Sequence, residues 1–338
     1  MIEFSIIIPL YNKGKEVKRA IKSVLNQKYQ RFEIIVINDG STDDGPDIVK
    51  QINDPRIRLI SQPNSGVSVA RNAGINASTY DHIAFLDADD AWKSNYLEII
   101  KNLIIGFPDA GAYATAYEMV NADGKVVLPK YMGIPKGPWE GYIPSYFYSA
   151  LGTSPVWTSA VTIPKKVFDV VGQFPEGIEI GEDKELWERI ALKYKIVFTN
   201  QIGATYFLNA SNRACNYYGN VERPRPFIDI AKLALINNEV PSSVMKDFKN
   251  YLAFCQIQRS KLYLFHLNDK PKARYILCET YPVSMKMILE KYGLLVITYT
   301  PYSFINILWN ARQVLKQFNI SNCLLVLLVF IAEFMVII

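Results

Sequence analysis

Histidine and cysteine are both scarce. The 338 residues include two histidines, His82 and His266, and four cysteines, Cys215, Cys255, Cys278 and Cys323, with no Cys-x-x-Cys pair. A zinc site needs clustered thiolates and imidazoles, and a disulfide-stapled scaffold needs dense cysteine, so both are excluded and reduced thiols are expected. A secretory leader is missing too. The first apolar run, Phe4–Ile8, stops at Pro9 after five residues, which suits a buried strand and a chain that starts in the cytoplasm. A dinucleotide fold places Gly-x-Gly-x-x-Gly after its first strand. Here that stretch is PLYNKGKE, with Gly14 as its one glycine, and a dehydrogenase is excluded. No internal repeat or low-complexity tract occurs.

What the chain does have is core. Half of its residues are hydrophobic and 20% are charged, enough to bury a large interior and too apolar for disorder. Its charge is unevenly spread. Residues 1–227 carry 25 basic and 25 acidic residues, whereas residues 228–338 carry 12 basic and 7 acidic, which accounts for the net +5. The first part shows no basic stripe with interleaved aromatics, so a nucleic-acid partner is not expected. The second part is basic and apolar together, as suits an anionic membrane surface. Residues 318–338 form an apolar tail, and from Cys323 it runs 16 residues to Ile338 with Glu333 inside it. At roughly 1.5 Å per residue that helix would be about 24 Å long, short of a hydrocarbon core of about 30 Å. A surface anchor, a helix packed on the protein and a true span all remain open. Lys316 and Arg312 lie on the side expected to stay cytoplasmic.

The periodicity predicts an α/β architecture. Strands are expected at Phe4–Ile8, Glu33–Asn38, Ile57–Ser61 and Ile83–Leu86. Helices are expected at Lys15–Gln27, Gly45–Ile52, Ser65–Ala77 and about Ser94–Ile105. This alternation implies an open, mostly parallel sheet flanked by helices. Around Ala110–Pro144 the pattern turns more β-like and rich in Gly, Pro and Tyr, and Gly111–Pro155, with Tyr113, Tyr117, Trp139, Tyr142, Tyr146 and Trp157 in or near it, is expected either to shape sugar or acceptor recognition or to pack a core. A further amphipathic helix ends at Lys193, and two short strands are expected at Ile196–Thr199 and Gly203–Tyr206. The expected division is an α/β domain over 1–220 and a helical region over 221–338.

Ligands of open parallel sheets bind beyond the carboxyl ends of the strands. There the chain carries Pro9-Leu10-Tyr11-Asn12, Asn38-Asp39-Gly40-Ser41 and Asp87-Ala88-Asp89-Asp90. Carboxylates crowded together repel unless a cation sits between them. Asp87 and Asp89 are suited to a hard divalent ion such as Mg²⁺ or Mn²⁺ shared with substrate phosphates; read singly, they equally suit a helix-capping turn. In a dinucleotide fold Asp39, at the end of the second strand, would bind ribose hydroxyls, a reading that falls with the missing glycine loop. Tyr11 would stack on a base or plug its loop. Arg71 would contact phosphate, orient a carboxylate or form a surface ion pair. Glu182 and Asp183 open a helix, where acids are also ordinary capping residues.

Taken in order, FSIIIPLYNKGKEVKRAIKSVLNQKYQRFEIIVINDGSTDDG, NSGVSVARNAGINAS, IAFLDADD and GEDKELWERI resemble the family 2 glycosyltransferases over roughly residues 1–200. The resemblance implies a GT-A fold and an inverting, metal-dependent transferase using a nucleotide-sugar, with a UDP-sugar the expected donor. It implies that Pro9 to Tyr11 and Asp39 hold the nucleoside, with Asp39 on the base. Arg71 would line the nucleotide pocket, and Asp87 and Ala88 would lie at the nucleotide with Asp87 near ribose and metal. Asp89 would ligate Mn²⁺ or Mg²⁺, and Asp183 would be the general base. The expected acceptor is a glycan or lipid-linked glycan at the inner face of a bacterial membrane. Processive members carry Gln-x-x-Arg-Trp; here Gln256 and Arg259 are followed by Ser260, so single-sugar addition is expected. The rivals are a nucleotidyltransferase, for which Lys13-Gly14-Lys15 is a poor phosphate loop, and an inactive membrane-associated scaffold.

Overall fold

The computed structural model describes residues 1–178, 180–210 and 226–300. The described chain begins β1 (Phe4–Leu10), α1 (Gly14–Leu25), β2 (Phe32–Asp39), α2 (Gly45–Lys50), β3 (Ile57–Gln62), α3 (Val67–Ala77) and β4 (His82–Phe85). It continues with β5 (Ala91–Trp92), α4 (Tyr96–Gly106), β6 (Ala112–Val120), β7 (Val126–Val127), β8 (Glu140–Tyr142) and α5 (Tyr146–Ser149). Then come β9 (Val161–Pro164), α6 (Lys165–Val171), α7 (Glu182–Lys193) and β10 (Ile196–Phe207). The last helices are α8 (Pro226–Ile236), α9 (Met245–Phe265), α10 (Lys270–Cys278) and α11 (Met285–Tyr299). The described residues fall into two compact units, one up to Tyr251 and one from Leu252.

In the first unit one sheet runs β3-β2-β1-β4-β9-β6-β10-β5. β3, β2, β1 and β4 are mutually parallel. β9 then enters antiparallel between β4 and β6, so the sheet is mixed, with its parallel half first. The chain leaves β1 toward β2 and β3, then returns to place β4 on the other side of β1. The strand order thus reverses between β1 and β4, where a crevice opens at the strands' carboxyl ends.

β1 is apolar throughout because both of its faces are covered. Ile6, Ile8 and Leu10 share a core with Val17, Ile21 and Val24 of α1. Ile7 points the other way, against α3 at Gly74. The expected strand pair at Ile196–Thr199 and Gly203–Tyr206 is one strand, β10. Its pairing with β6 slips between Thr199 and Ile202 and again between Ile202 and Ala204. Two bulges bend the strand without ending it, and the intervening polar residues read as a turn.

The second unit is helical. Asp269 caps α10 by accepting from the Lys272 N–H at 2.9 Å, and Ala273, Leu277, Leu264 and Leu294 are buried together. Gln256, Arg259 and Ser260 lie within α9. Neither Cys255 nor Cys278 is in a disulfide. Cys215, Cys323 and the apolar tail 318–338 lie outside the described residues. No helix among the described residues is long and apolar enough to cross a membrane.

Two features invite measurement. A β-carbon on Gly74 would come within 2.5 Å of Ile7 Cγ2, so Gly74→Ala should destabilise by about 1–3 kcal/mol through overpacking, read as a lower urea midpoint. Glu33 is buried in β2 and accepts from Ser5 Oγ at 2.7 Å, the Thr79 N–H at 2.6 Å and Arg58 at 3.0 Å. Burial by itself would raise its pKa, but these donors outweigh burial and hold it below the usual carboxylate value. A depressed carboxylate stabilises the fold above its unfolded pKa and loses that contribution as pH falls through the folded one. The urea midpoints of wild type and Glu33→Gln should therefore differ most near neutral pH and converge on acidification.

Candidate active site

A cavity of about 700 Å³ opens at the β1/β4 reversal. It is lined by Pro9, Tyr11, Asp39, Arg71, Asp87, Ala88, Asp89 and Asp183, so these eight face one space, while Asn12, Asn38, Gly40 and Ser41 of the same strand-end loops do not line it. Lys13, Asp90, Trp157, Thr158, Glu182 and Tyr206 also line it.

The floor is knit from the first two strand-end loops. Asn12 accepts the Thr42 N–H on its side-chain oxygen at 2.8 Å, and its own N–H donates to Ser41 Oγ at 3.2 Å. Tyr11 is 47% exposed, so its ring is an open face and does not plug the loop. Asp39, the last residue of β2, is buried. Its carboxylate accepts from Gln62 Nε2 at 2.7 Å and from the N–H groups of Ser65 at 3.0 Å and Gly66 at 2.9 Å. It anchors the loop entering α3.

Arg71 is 3% exposed, so the surface ion-pair reading is wrong. One guanidinium nitrogen donates to Asp87 Oδ1 at 2.9 Å and another to Glu182 Oε1 at 2.7 Å. Burial alone would lower its pKa; the two carboxylates outweigh that and raise it. It orients carboxylates from two distant segments and also lines the cavity.

The turn after β4 is held by its neighbours. The Asp90 N–H donates to the Asp87 carbonyl at 3.0 Å, and Lys13 Nζ lies 2.6 Å from Asp89 Oδ2. Burial and then the Asp87 charge push the Asp89 pKa up, with Lys13 offsetting them. Asp90 is more deeply buried, and burial together with Asp89 and Asp87 raises its pKa further. Among the described residues no three His, Cys, Asp or Glu side chains gather in metal-binding geometry. Two carboxylates, Asp87 and Asp89, face the cavity here, and the Lys13 ammonium meets the second of them.

On the far side, Gly181 has φ +86°, a left-handed conformation natural to glycine. It turns the chain into α7 so that Glu182 and Asp183 occupy the first turn, where the helix dipole favours acids. Burial and then Asp183 raise the Glu182 pKa, and Arg71 opposes them. Asp183 Oδ1 accepts the Lys184 N–H at 2.7 Å, and Oδ2 accepts from Thr158 Oγ1 at 3.0 Å.

Of the aromatic residues expected around the acceptor, Trp157 lines the cavity and Tyr117 packs on it at 4.5 Å between centroids. Burial and the nearby Asp183 push the Tyr117 hydroxyl up to about 12. Tyr113 and Tyr146 are buried in the core, and Tyr142 packs edge-on against Phe107. Sequence reasoning missed Tyr206, Thr158 and the Lys13 contact. None belongs to a spacing pattern, because each reaches the cavity only through the sheet order.

Residues 5–147 match the sequence profile described as Glycosyl transferase family 2. That stretch carries the pattern of a glycosyl transferase family 2 domain. It is 36% identical over 191 residues to an uncharacterized glycosyltransferase of Rickettsia bellii, covering 55% of this chain and 26% of that protein. It is 24% identical over 264 residues to the hyaluronan synthase of Pasteurella multocida, covering 78% of this chain and 25% of that one. The chain thus spans about a quarter of the length of these curated relatives. Residues 1–349 of S. aureus TarS, crystallised in complex with UDP-GlcNAc, superpose with a TM-score of 0.65 at 16% identity, covering 88% of this chain and 89% of that one. The fold is GT-A.

Arg71 offers a direct test of the site's architecture. Arg71→Met should cost about 3 kcal/mol in urea unfolding, because it strands Glu182 and Asp87 without their buried partner.

Proposed function

We propose that the protein is a glycosyltransferase that moves a single sugar from a UDP-sugar to a hydroxyl of a glycan or lipid-linked glycan, with inversion at the anomeric carbon. The observation that carries this reading is that Asp183 shares one cavity with Tyr11, Asp39 and the Asp87–Asp89 turn. Support for a nucleotide-sugar donor comes from the family and from the UDP-GlcNAc in the similar TarS crystal.

In this reading the Tyr11 ring stacks on the nucleobase, and the buried Asp39 end of β2 receives the nucleoside. Two carboxylates suit a hard divalent cation whose remaining ligands are diphosphate oxygens, so Asp87 and Asp89 would hold Mn²⁺ or Mg²⁺, with Lys13 yielding its place on Asp89. Such an ion neutralises charge on a departing diphosphate. Asp183 Oδ2 accepts the proton of the acceptor hydroxyl. The acceptor oxygen bonds to the anomeric carbon as the bond from that carbon to the diphosphate breaks, in one displacement. The leaving side then needs no acid. General-base help of this kind contributes roughly 10²–10⁴-fold.

The location of the acceptor at the inner face of the membrane belongs to the same proposal. It rests on the basic, apolar composition of residues 228–338 and on the exposure of Tyr281 ahead of α11 and of Met285, Leu289 and Tyr292 on it, beside Lys286 and Lys291. Ser260 in place of the Trp of processive enzymes supports transfer of one sugar per encounter.

Thermal unfolding with UDP and Mn²⁺ tests the donor site. At about 100 times its Kd a ligand stabilises the fold by about 2.7 kcal/mol, so wild type and Asp183→Asn should both show a higher Tm. Asp183→Asn should meanwhile lose transfer by about 10²-fold or more. A nucleotide-independent Tm, or an active Asp183→Asn enzyme, refutes the assignment.

A further inference from the structure

Just before β9, three consecutive residues each meet a different part of the cavity. The Trp157 ring lies 4.5 Å from Tyr117 and 4.9 Å from Tyr206, centroid to centroid. Thr158 is 2% exposed, and its hydroxyl donates to Asp183 Oδ2 at 3.0 Å. Ser159 is fully buried. Its hydroxyl donates to Asp90 Oδ2 at 2.6 Å and accepts the Asp87 N–H at 3.1 Å. Its carbonyl accepts from Trp92 Nε1 at 2.7 Å, which fixes the segment from behind.

Neighbouring α-carbons across a trans peptide are about 3.8 Å apart. One peptide unit therefore separates the group that grips the acid of α7 from the group that grips the aspartate turn after β4. The Arg71 bridge also joins these segments, but it holds Glu182 and leaves the Asp183 side chain to other partners. We infer that Thr158 and Ser159 are positioning residues, a one-peptide gauge that sets the distance and orientation between the base and the donor-holding turn. The inference rests on the roles given above to Asp183 and to Asp87–Asp89.

Asp183 Oδ1 is already occupied by the Lys184 N–H. With Thr158 on Oδ2, both carboxylate oxygens are tethered and the plane of the group is fixed. An ionised oxygen accepts more than one hydrogen bond, so Oδ2 keeps a place for the acceptor hydroxyl. Removing the Thr158 hydroxyl leaves one tether, and the terminal torsion of an aspartate is soft. Misplacing a reacting group by about 1 Å costs on the order of 10²-fold in rate. Ser159 acts on the other side: its hydroxyl aligns the Asp87 backbone, where donor binding is decided.

The test compares wild type, Thr158→Val, Thr158→Ser, Ser159→Ala and Asp183→Asn. UDP release is measured from whichever of UDP-GlcNAc, UDP-glucose, UDP-galactose and UDP-GalNAc the wild type turns over, alongside the Tm shift with UDP and Mn²⁺. Thr158→Val should lower kcat about tenfold to hundredfold while leaving donor KM and the UDP-induced Tm shift as in wild type. Thr158→Ser, which keeps the hydroxyl, should recover kcat to within a few-fold. Ser159→Ala should also raise donor KM. Wild-type kcat in Thr158→Val beside an inactive Asp183→Asn overturns the gauge and leaves the base assignment standing. A Thr158→Ser enzyme as slow as Thr158→Val overturns it as well. An active Asp183→Asn refutes the base itself, and the gauge with it.

Discussion

The site is organised around an excess of negative charge. Among the described residues six carboxylates, from Asp39, Asp87, Asp89, Asp90, Glu182 and Asp183, line the cavity with two cations, Arg71 and Lys13. Like charges at such separations raise one another's pKa values and resist burial. The fold tolerates them because Arg71 neutralises two at once in a place without solvent. A guanidinium suits that task because it stays charged when buried and presents its donors as a rigid planar fork. With Arg71 in place, the turn after β4 and the first turn of α7 become one unit, and the residual negative charge suits a ligand that brings a cation with it.

That arrangement depends on the reversal of strand order beside β1. Carboxyl ends of β1 and β4 sit side by side, and β2 adds Asp39 from the next position. Antiparallel β9 then brings Trp157, Thr158 and Ser159 to the same edge. In the proposed reading the mixed second half of the sheet carries the acceptor-side residues and the parallel first half the nucleotide-side loops, with Arg71 and the Thr158–Ser159 peptide as two bridges between them.

Much of the first half was legible without coordinates. A strand covered on both faces must be apolar at every position, so Phe4–Ile8 announced itself, and with it the strand-end loops of Pro9, Asp39 and Asp87. β10 was misread as two strands because a bulge exposes polar residues in mid-strand, and local pattern does not separate a bulge from a turn. The acidic pair at Glu182 was recognisable as a helix start, but nothing local distinguished its two members. Both line the cavity, but Glu182 is the buried partner of Arg71 and Asp183 accepts from Thr158.

Sequence by itself determined which elements form, the apolar faces they bury and the chemistry placed at their ends, since these follow from periodicity and residue type over short windows. It also carried the likeness to glycosyl transferase family 2, through motifs whose order along the chain is as specific as their content. Only the tertiary structure decided which end groups meet. Arg71 belongs to two carboxylates, Lys13 to Asp89 and Thr158 to Asp183, because these contacts join segments far apart in the chain. Their geometry is set by the order of strands in the sheet, and a linear pattern does not encode that order.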